Sequence, residues 1–267
     1  MSDPILISEA NLSYAWARAF LSMLENPLNN PPPLTITLTG FENGEPTEDN
    51  GIRRELTSML DFHEMNSVDV SALVVFPYKA WIRRGRPSSK RFFKWCLEKF
   101  VPRLKARDRK NRRGLYFERM MQVCYYDEKG KIHKHNQLEY IIDWWKERGK
   151  IGRRPRRSGL QASCFDPLLD HDKSPRPGFP CLQQVSFTYN DDGLAVNAFY
   201  PTQWIFDRAY GNYLGLCHLG TFMAHELGIE LVRLNCFVAR AELGSVTKSD
   251  VRKLEDFLHN VVPDQGG

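Results

Sequence analysis

A chain of 267 residues with 42% hydrophobic and 12% aromatic content has enough apolar material to bury a substantial core, which argues against a disordered protein. No apolar run reaches membrane-spanning length, and Met1-Ser2-Asp3-Pro4 lacks the basic-then-apolar pattern of a secretory signal, so a cytoplasmic protein without a membrane segment is expected. The net charge of +5 hides two basic runs: fourteen Lys or Arg against Glu98 and Asp108 in residues 83–113, and seven against Glu147 in residues 146–157. Such runs are ordinarily a solvated face; the functional alternative is an anion site for phosphate or nucleic acid.

Along the chain, Leu12, Ala15, Trp16, Ala19, Phe20, Met23 and Leu24 recur at helical spacing and predict an amphipathic helix stopped by Asn26-Pro27. Residues 34–39 alternate as a strand does, and residues 41–51 read as a loop. Residues 71–77 form a short buried segment whose state periodicity does not decide. Phe92, Phe93, Cys96, Leu97 and Phe100 line a basic helix expected to stop near Pro102. Asn136 or Gln137 opens a helix with Leu138, Ile141, Ile142 and Trp145 on one face, and loops follow at 149–159 and 166–180.

Proline has a fixed φ and no N–H, so it enters a sheet only at its first residue or edge. Pro180 therefore predicts a strand over 181–189 with Cys181 at its mouth, where a thiol can meet a ligand. Asn190-Asp191-Asp192-Gly193 is a turn signal, and a strand over 194–200 returns. A strongly apolar helix over 208–227 and a strand over 230–243 come next; Thr247-Lys248-Ser249-Asp250 resembles a capping box and begins a last helix. With no repeat and no long linker, residues 1–267 read as one α/β (α+β) domain. The six cysteines are scattered without a C-x-x-C pair, which argues against zinc clusters and disulfide scaffolds and predicts reduced thiols. His218 and His225 lack both the H-E-x-x-H spacing and a third ligand, so no metal site is expected.

Arg156-Arg157, Phe165-Asp166-Pro167, Phe179-Pro180-Cys181 and Gln184 follow the order and approximate separations of Arg-Arg, Trp-Asn-Pro, Pro-Cys-His and Gln-Phe in the thymidylate synthase family. Asn136-Gln137-Leu138 resembles that family's Gln-Leu helix start, and Tyr200 through Gly211-Asn212-Tyr213 resembles its nucleotide-binding segment. The likeness covers roughly residues 110–243 and extends to the related pyrimidine nucleotide hydroxymethylases. It implies a thymidylate-synthase-like domain with a mixed sheet and packed helices, assembled as a homodimer. It further implies transfer of a methyl or hydroxymethyl unit from 5,10-methylenetetrahydrofolate to carbon 5 of a pyrimidine nucleotide. By this resemblance Cys181 is the nucleophile that adds to ring carbon 6. Arg156 and Arg157 bind phosphate across the dimer interface, Asn212 meets the pyrimidine edge, and Gln184 completes the substrate-binding set. Arg176, Arg156 and Arg157 are the cations expected to depress the Cys181 pKa.

The departures are specific. Tyr200 is followed by Pro201-Thr202 where the family has Arg-Ser, and Leu182 replaces the His after the catalytic cysteine. Val238-Ala239-Arg240-Ala241-Glu242 carries no His-x-Tyr, and the family's Asp is replaced by Trp204 or shifted to Asp207. Glu64 is a guess for the general acid/base, and Arg208 is a further candidate for phosphate. Two alternatives follow: a catalytically weakened module that binds a nucleotide or partner, and a nucleic-acid-binding protein that uses residues 83–113.

Overall fold

A six-stranded mixed sheet with a buried helix along its inner face organises the chain. The computed structural model describes residues 3–26, 31–108, 111–112, 114–171 and 180–263. The first elements are β1 (Ile5–Glu9), α1 (Leu12–Glu25), β2 (Leu34–Leu38), a short ladder of β3 (Phe41–Glu42) and β4 (Glu45–Pro46), then α2 (Asn50–Phe62), α3 (Val68–Val75), α4 (Tyr78–Arg83) and α5 (Ser89–Trp95). A π turn (Cys96–Phe100) joins α5 to α6 (Val101–Arg107). Next come α7 (Tyr116–Met121), a hairpin of β5 (Val123–Tyr126) and β6 (Ile132–His135), α8 (Gln137–Gly149), β7 (Gln161–Ser163) and α9 (Pro167–Asp170). The chain finishes with β8 (Gln184–Tyr189), β9 (Leu194–Trp204), a second π turn (Ile205–Ala209), α10 (Tyr210–Leu227), β10 (Leu231–Glu242) and α11 (Arg252–Val261).

The sheet order is β1-β2-β10-β9-β8-β7; β1 with β2 and β9 with β10 are parallel, and the remaining neighbours are antiparallel. The α+β class read from the sequence, with a mixed sheet and packed helices, is the architecture observed. Strand alternation fixes the two faces. Ile36, Val196, Tyr200, Leu234 and Val238 point inward and are buried. On the other face Thr37 donates to Asn235 at 3.1 Å, Asn235 to Asn197 at 2.8 Å, and Asn197 to Thr188 at 3.1 Å. That face is open: Leu6, Phe237 and Phe199 are 74%, 41% and 38% exposed.

Helix α10 is apolar over most of its surface and buried over most of its length, and a helix with so little polar face is stable only when enclosed. Gly211 and Gly215 let it close on α3: a Cβ there would lie 2.4 Å from Ser71 Cβ and 2.6 Å from the Ala72 carbonyl oxygen, respectively. At its far end Gly228 adopts a φ of 67°, and Trp145 Nε1 donates to the Leu227 carbonyl at 2.9 Å. Gly211 and Gly215 thus serve close helix packing.

Several boundaries differ from expectation. Residues 71–75 belong to α3, and α2 begins inside the expected loop because Asp49 accepts from the Ile52 N–H at 2.9 Å and caps it. The basic helix does not stop at Pro102. The π turn places an i→i−5 bond from the Val101 N–H to the Cys96 carbonyl just before it, so the proline sits at the start of α6, where its missing N–H is tolerated. The strand headed by Pro180 starts at Gln184 rather than Cys181, although the Gln183 N–H already bonds Phe199 O at 3.0 Å. Thr247 and Asp250 make the reciprocal capping bonds, around a turn that precedes α11.

Candidate functional site

Cys181 lies in a bend at the end of the sheet, in an exposed residue followed by the fully buried Leu182. Leu182 anchors the bend in the core, and the Gln183 side chain ties it back to the Pro180 carbonyl. Three elements bring polar groups to the thiol: Tyr116 from the start of α7, Arg208 from the π turn before α10, and Glu242 from the end of β10.

Their effects on ionisation oppose one another. Partial enclosure of the sulfur pushes the Cys181 pKa up; the Tyr116 hydrogen bond and the Arg208 charge pull it down, and Glu242 pushes it up again, leaving it raised. The expectation of a depressed thiol is therefore overturned, because burial outweighs one hydrogen bond and one cation. Burial also pushes the Tyr116 phenol up, with the N–H groups of Leu182 and Cys181 acting against it, so Tyr116 stays neutral near pH 7.

The surrounding shell is hydrogen-bonded. Arg208 Nη1 donates to Ser71 Oγ at 3.4 Å. Glu242 accepts from Arg240 Nε at 2.8 Å and from Trp204 Nε1 at 3.1 Å, and the Trp204 ring is exposed. Asn212 follows Arg208 by four residues, is buried, and makes no side-chain hydrogen bond among the described residues. Behind Tyr116, the buried Tyr200 hydroxyl and Gln203 Nε2 have no hydrogen-bond partner among the described residues, while Gln203 Oε1 accepts from Tyr213 at 2.7 Å.

The expected binding residues divide. Gln184 is turned to the open sheet face and donates to Gln161 Oε1 at 2.6 Å. Arg157 donates to the Tyr189 carbonyl at 2.5 Å and lies 4.7 Å over the Tyr189 ring. Tyr189 and Gln184 are at opposite ends of β8, roughly 17 Å apart by strand rise, so Arg157 and the exposed Arg156 beside it do not serve the Cys181 thiol of their own chain. Arg208 is the cation in reach instead, and Arg176 lies outside the described residues. Asp207 is occupied by Ser245, accepting from its N–H at 3.0 Å and its hydroxyl at 2.6 Å. Glu64 is exposed in the turn after α2 with a φ of 55° and makes no side-chain hydrogen bond among the described residues.

Sequence reading missed Tyr116 and Glu242. A tyrosine opening a six-residue helix and a glutamate ending a strand carry no spacing signal; only the tertiary fold brings them to the thiol. Cys96, Cys164, Cys217 and Cys236 are buried, and burial raises each thiol, Cys164 to about 12, so none competes as a nucleophile.

The protein is thus an α+β protein with one exposed thiol, at the end of a mixed sheet and within electrostatic reach of a phenol and a guanidinium. No protein-family model matches the chain, and no curated protein matches its sequence. Among the described residues no helix is long and apolar enough to cross a membrane, and no group of three or more His, Cys, Asp or Glu side chains is arranged to hold a metal ion.

Proposed function

We propose that the protein transfers a one-carbon unit, methyl or hydroxymethyl, to carbon 5 of a pyrimidine nucleotide, with Cys181 as the nucleophile. The observation that carries this reading is the meeting of Cys181, Tyr116 and Arg208 beside the helix that bears Asn212. In the reaction, the Cys181 thiolate forms a bond to ring carbon 6, and the ring double-bond electrons move to carbon 5 as an enolate. Carbon 5 then bonds the incoming carbon and loses its proton, and the sulfur–carbon bond breaks to restore the double bond and release the thiolate. Tyr116, held neutral, donates to the sulfur; Arg208 favours the thiolate and is the cation available for phosphate; the Asn212 amide offers a donor and an acceptor to the base edge.

5,10-Methylenetetrahydrofolate supplies the carbon at the formaldehyde level, completed by water for hydroxymethyl transfer or by the carrier's own hydride for methyl transfer. The exposed Trp204 ring and the Glu242 carboxylate fit a flat, hydrogen-bonding pterin. A homodimer through the open sheet face accords with this reading, because Arg156 and Arg157 lie too far along β8 to reach phosphate in their own chain.

Release of tritium from carbon-5-labelled dUMP or dCMP tests the proposal. We expect release that needs Cys181 and that increases with the folate. The raised thiol and Pro201-Thr202 in place of Arg-Ser favour a second reading, a weakened member that binds nucleotide without turnover. Calorimetric nucleotide binding without tritium release would select it, and absence of both would exclude the two readings together.

A further inference from the structure

The β5–β6 hairpin faces the basic helix made of α5, the π turn and α6 across a groove that the Cys181 chemistry does not use. Two adjoining clefts of about 380 Å³ each form it and share Gln122 and Lys134. Lys90 and Lys94 line one cleft, and Lys105 and Arg112 line the other. Acids offset part of this charge: Lys105 pairs with Glu118 at 2.6 Å, Lys90 with Asp143 at 3.3 Å and Lys94 with Glu98 at 3.9 Å. Arg91, Lys99, Arg103 and Arg107 are exposed on the same helix and have no ion-pair partner among the described residues. From Lys90 to Arg107 the helix extends roughly 25 Å, which spreads these cations over several nucleotides of a phosphate backbone.

Cys124 and Lys134 line the opposite wall, and exposed rings flank it. Neither face of the hairpin is buried, and Tyr125, Tyr126 and Ile132 are 48%, 56% and 53% exposed. The pairing register puts Tyr126 on the Lys134 face, while Tyr125 stacks on His133 at 5.5 Å on the other. Arg84 lies 3.8 Å over the half-buried Trp95 ring, beside the basic helix. Cations alone suit any polyanion, but an exposed flat ring beside a line of cations suits an unpaired base as well as phosphates.

We propose that this groove binds single-stranded nucleic acid, with phosphates along α5 and α6 and a base on Tyr126. The test is fluorescence anisotropy with labelled 20-nucleotide oligo-dT, oligo-U and a matched duplex, beside co-sedimentation with phosphatidylserine vesicles. If about four phosphates are neutralised, log affinity falls against log salt with a slope of about −2.8, or roughly 50-fold between 50 and 200 mM salt. Changing Arg91, Lys99, Arg103 and Arg107 together to Gln should weaken binding and flatten that slope. Tyr126→Ala should weaken it at least about fivefold and leave the slope unchanged. Circular dichroism checks that each variant is folded, and Lys134→Gln substitutes for the cation variant, or Tyr126→Leu for the tyrosine variant, where one is not. The dT and U arms assign the sugar. The proposal is overturned by no strand binding at 50 mM salt, by equal or tighter duplex binding, by binding to vesicles alone, or by wild-type affinity in both variants.

Discussion

Asp170→Ala should destabilise the protein by about 3–5 kcal/mol, because it takes a bidentate carboxylate away from a buried guanidinium. Arg119 donates to both carboxylate oxygens of Asp170, at 2.7 and 3.1 Å, and both side chains are at least nine-tenths buried. The same carboxylate accepts the Asp166 N–H at 2.9 Å, and Arg119 Nη1 also donates to the Cys164 carbonyl at 3.1 Å. Removing Asp170 therefore takes a charged acceptor from three donors, against a total stability on the order of 5–15 kcal/mol. Since α7 carries both Arg119 and Tyr116, the loss should also loosen the phenol against Cys181. Urea unfolding followed by tryptophan fluorescence measures the effect. With a slope near 3 kcal/mol/M, the midpoint should fall by more than about 1 M. Arg119→Met with Asp170→Leu should recover much of the loss by removing both charges. A fall in stability under about 1 kcal/mol, or a double variant no better than Asp170→Ala, would refute the reasoning.

Three further effects are expected. Burial lowers the His218 pKa to about 3, with Asp69 acting against that shift and Lys79 and Arg53 adding to it, so the unfolded chain binds a proton that the folded chain refuses between that value and about 6.5. Stability is full above that window and declines as pH falls through it, by about 1 kcal/mol per pH unit, and His218→Phe should flatten the decline in urea midpoints between pH 7 and 4.5. Alkylation of Cys181 by iodoacetamide should rise with pH to a midpoint above the usual thiol value of about 8.5; Tyr116→Phe or Arg208→Gln should move it further up and Glu242→Gln down, as peptide mass spectrometry can follow. Gly211→Ala should cost about 1–3 kcal/mol in thermal or urea unfolding, since its Cβ would meet Ser71 Cβ at 2.4 Å and the Val68 carbonyl oxygen at 2.6 Å.

Where one face of an element is buried, its pattern was legible. The stripe of Trp16, Phe20 and Met23, the β8–β9 hairpin around Asn190 and Gly193, and the largely apolar α10 all emerge where periodicity and turn chemistry put them. The β5–β6 hairpin had no such mark, because Val123 to Tyr126 and Ile132 to His135 leave both faces in solvent and need not alternate. Pro102 misled because a π turn can absorb a proline in a continuing helix. At the site, Cys181 could be singled out from Pro180 and its neighbours. Its ionisation could not, since that depends on enclosure and on Tyr116, Arg208 and Glu242, up to 65 residues away in sequence.

Intact-protein and peptide mass spectrometry after incubation with 5-fluoro-dUMP or 5-fluoro-dCMP and methylenetetrahydrofolate tests the proposed chemistry most directly. Fluorine at carbon 5 cannot leave as a proton does, so the adduct formed by thiolate attack should accumulate. A mass increase equal to the nucleotide plus methylenetetrahydrofolate on the peptide that contains Cys181, lost in Cys181→Ser, is the expected result. Absence of an adduct with either nucleotide, or an adduct that survives in Cys181→Ser, would contradict a pyrimidine-modifying role for this thiol.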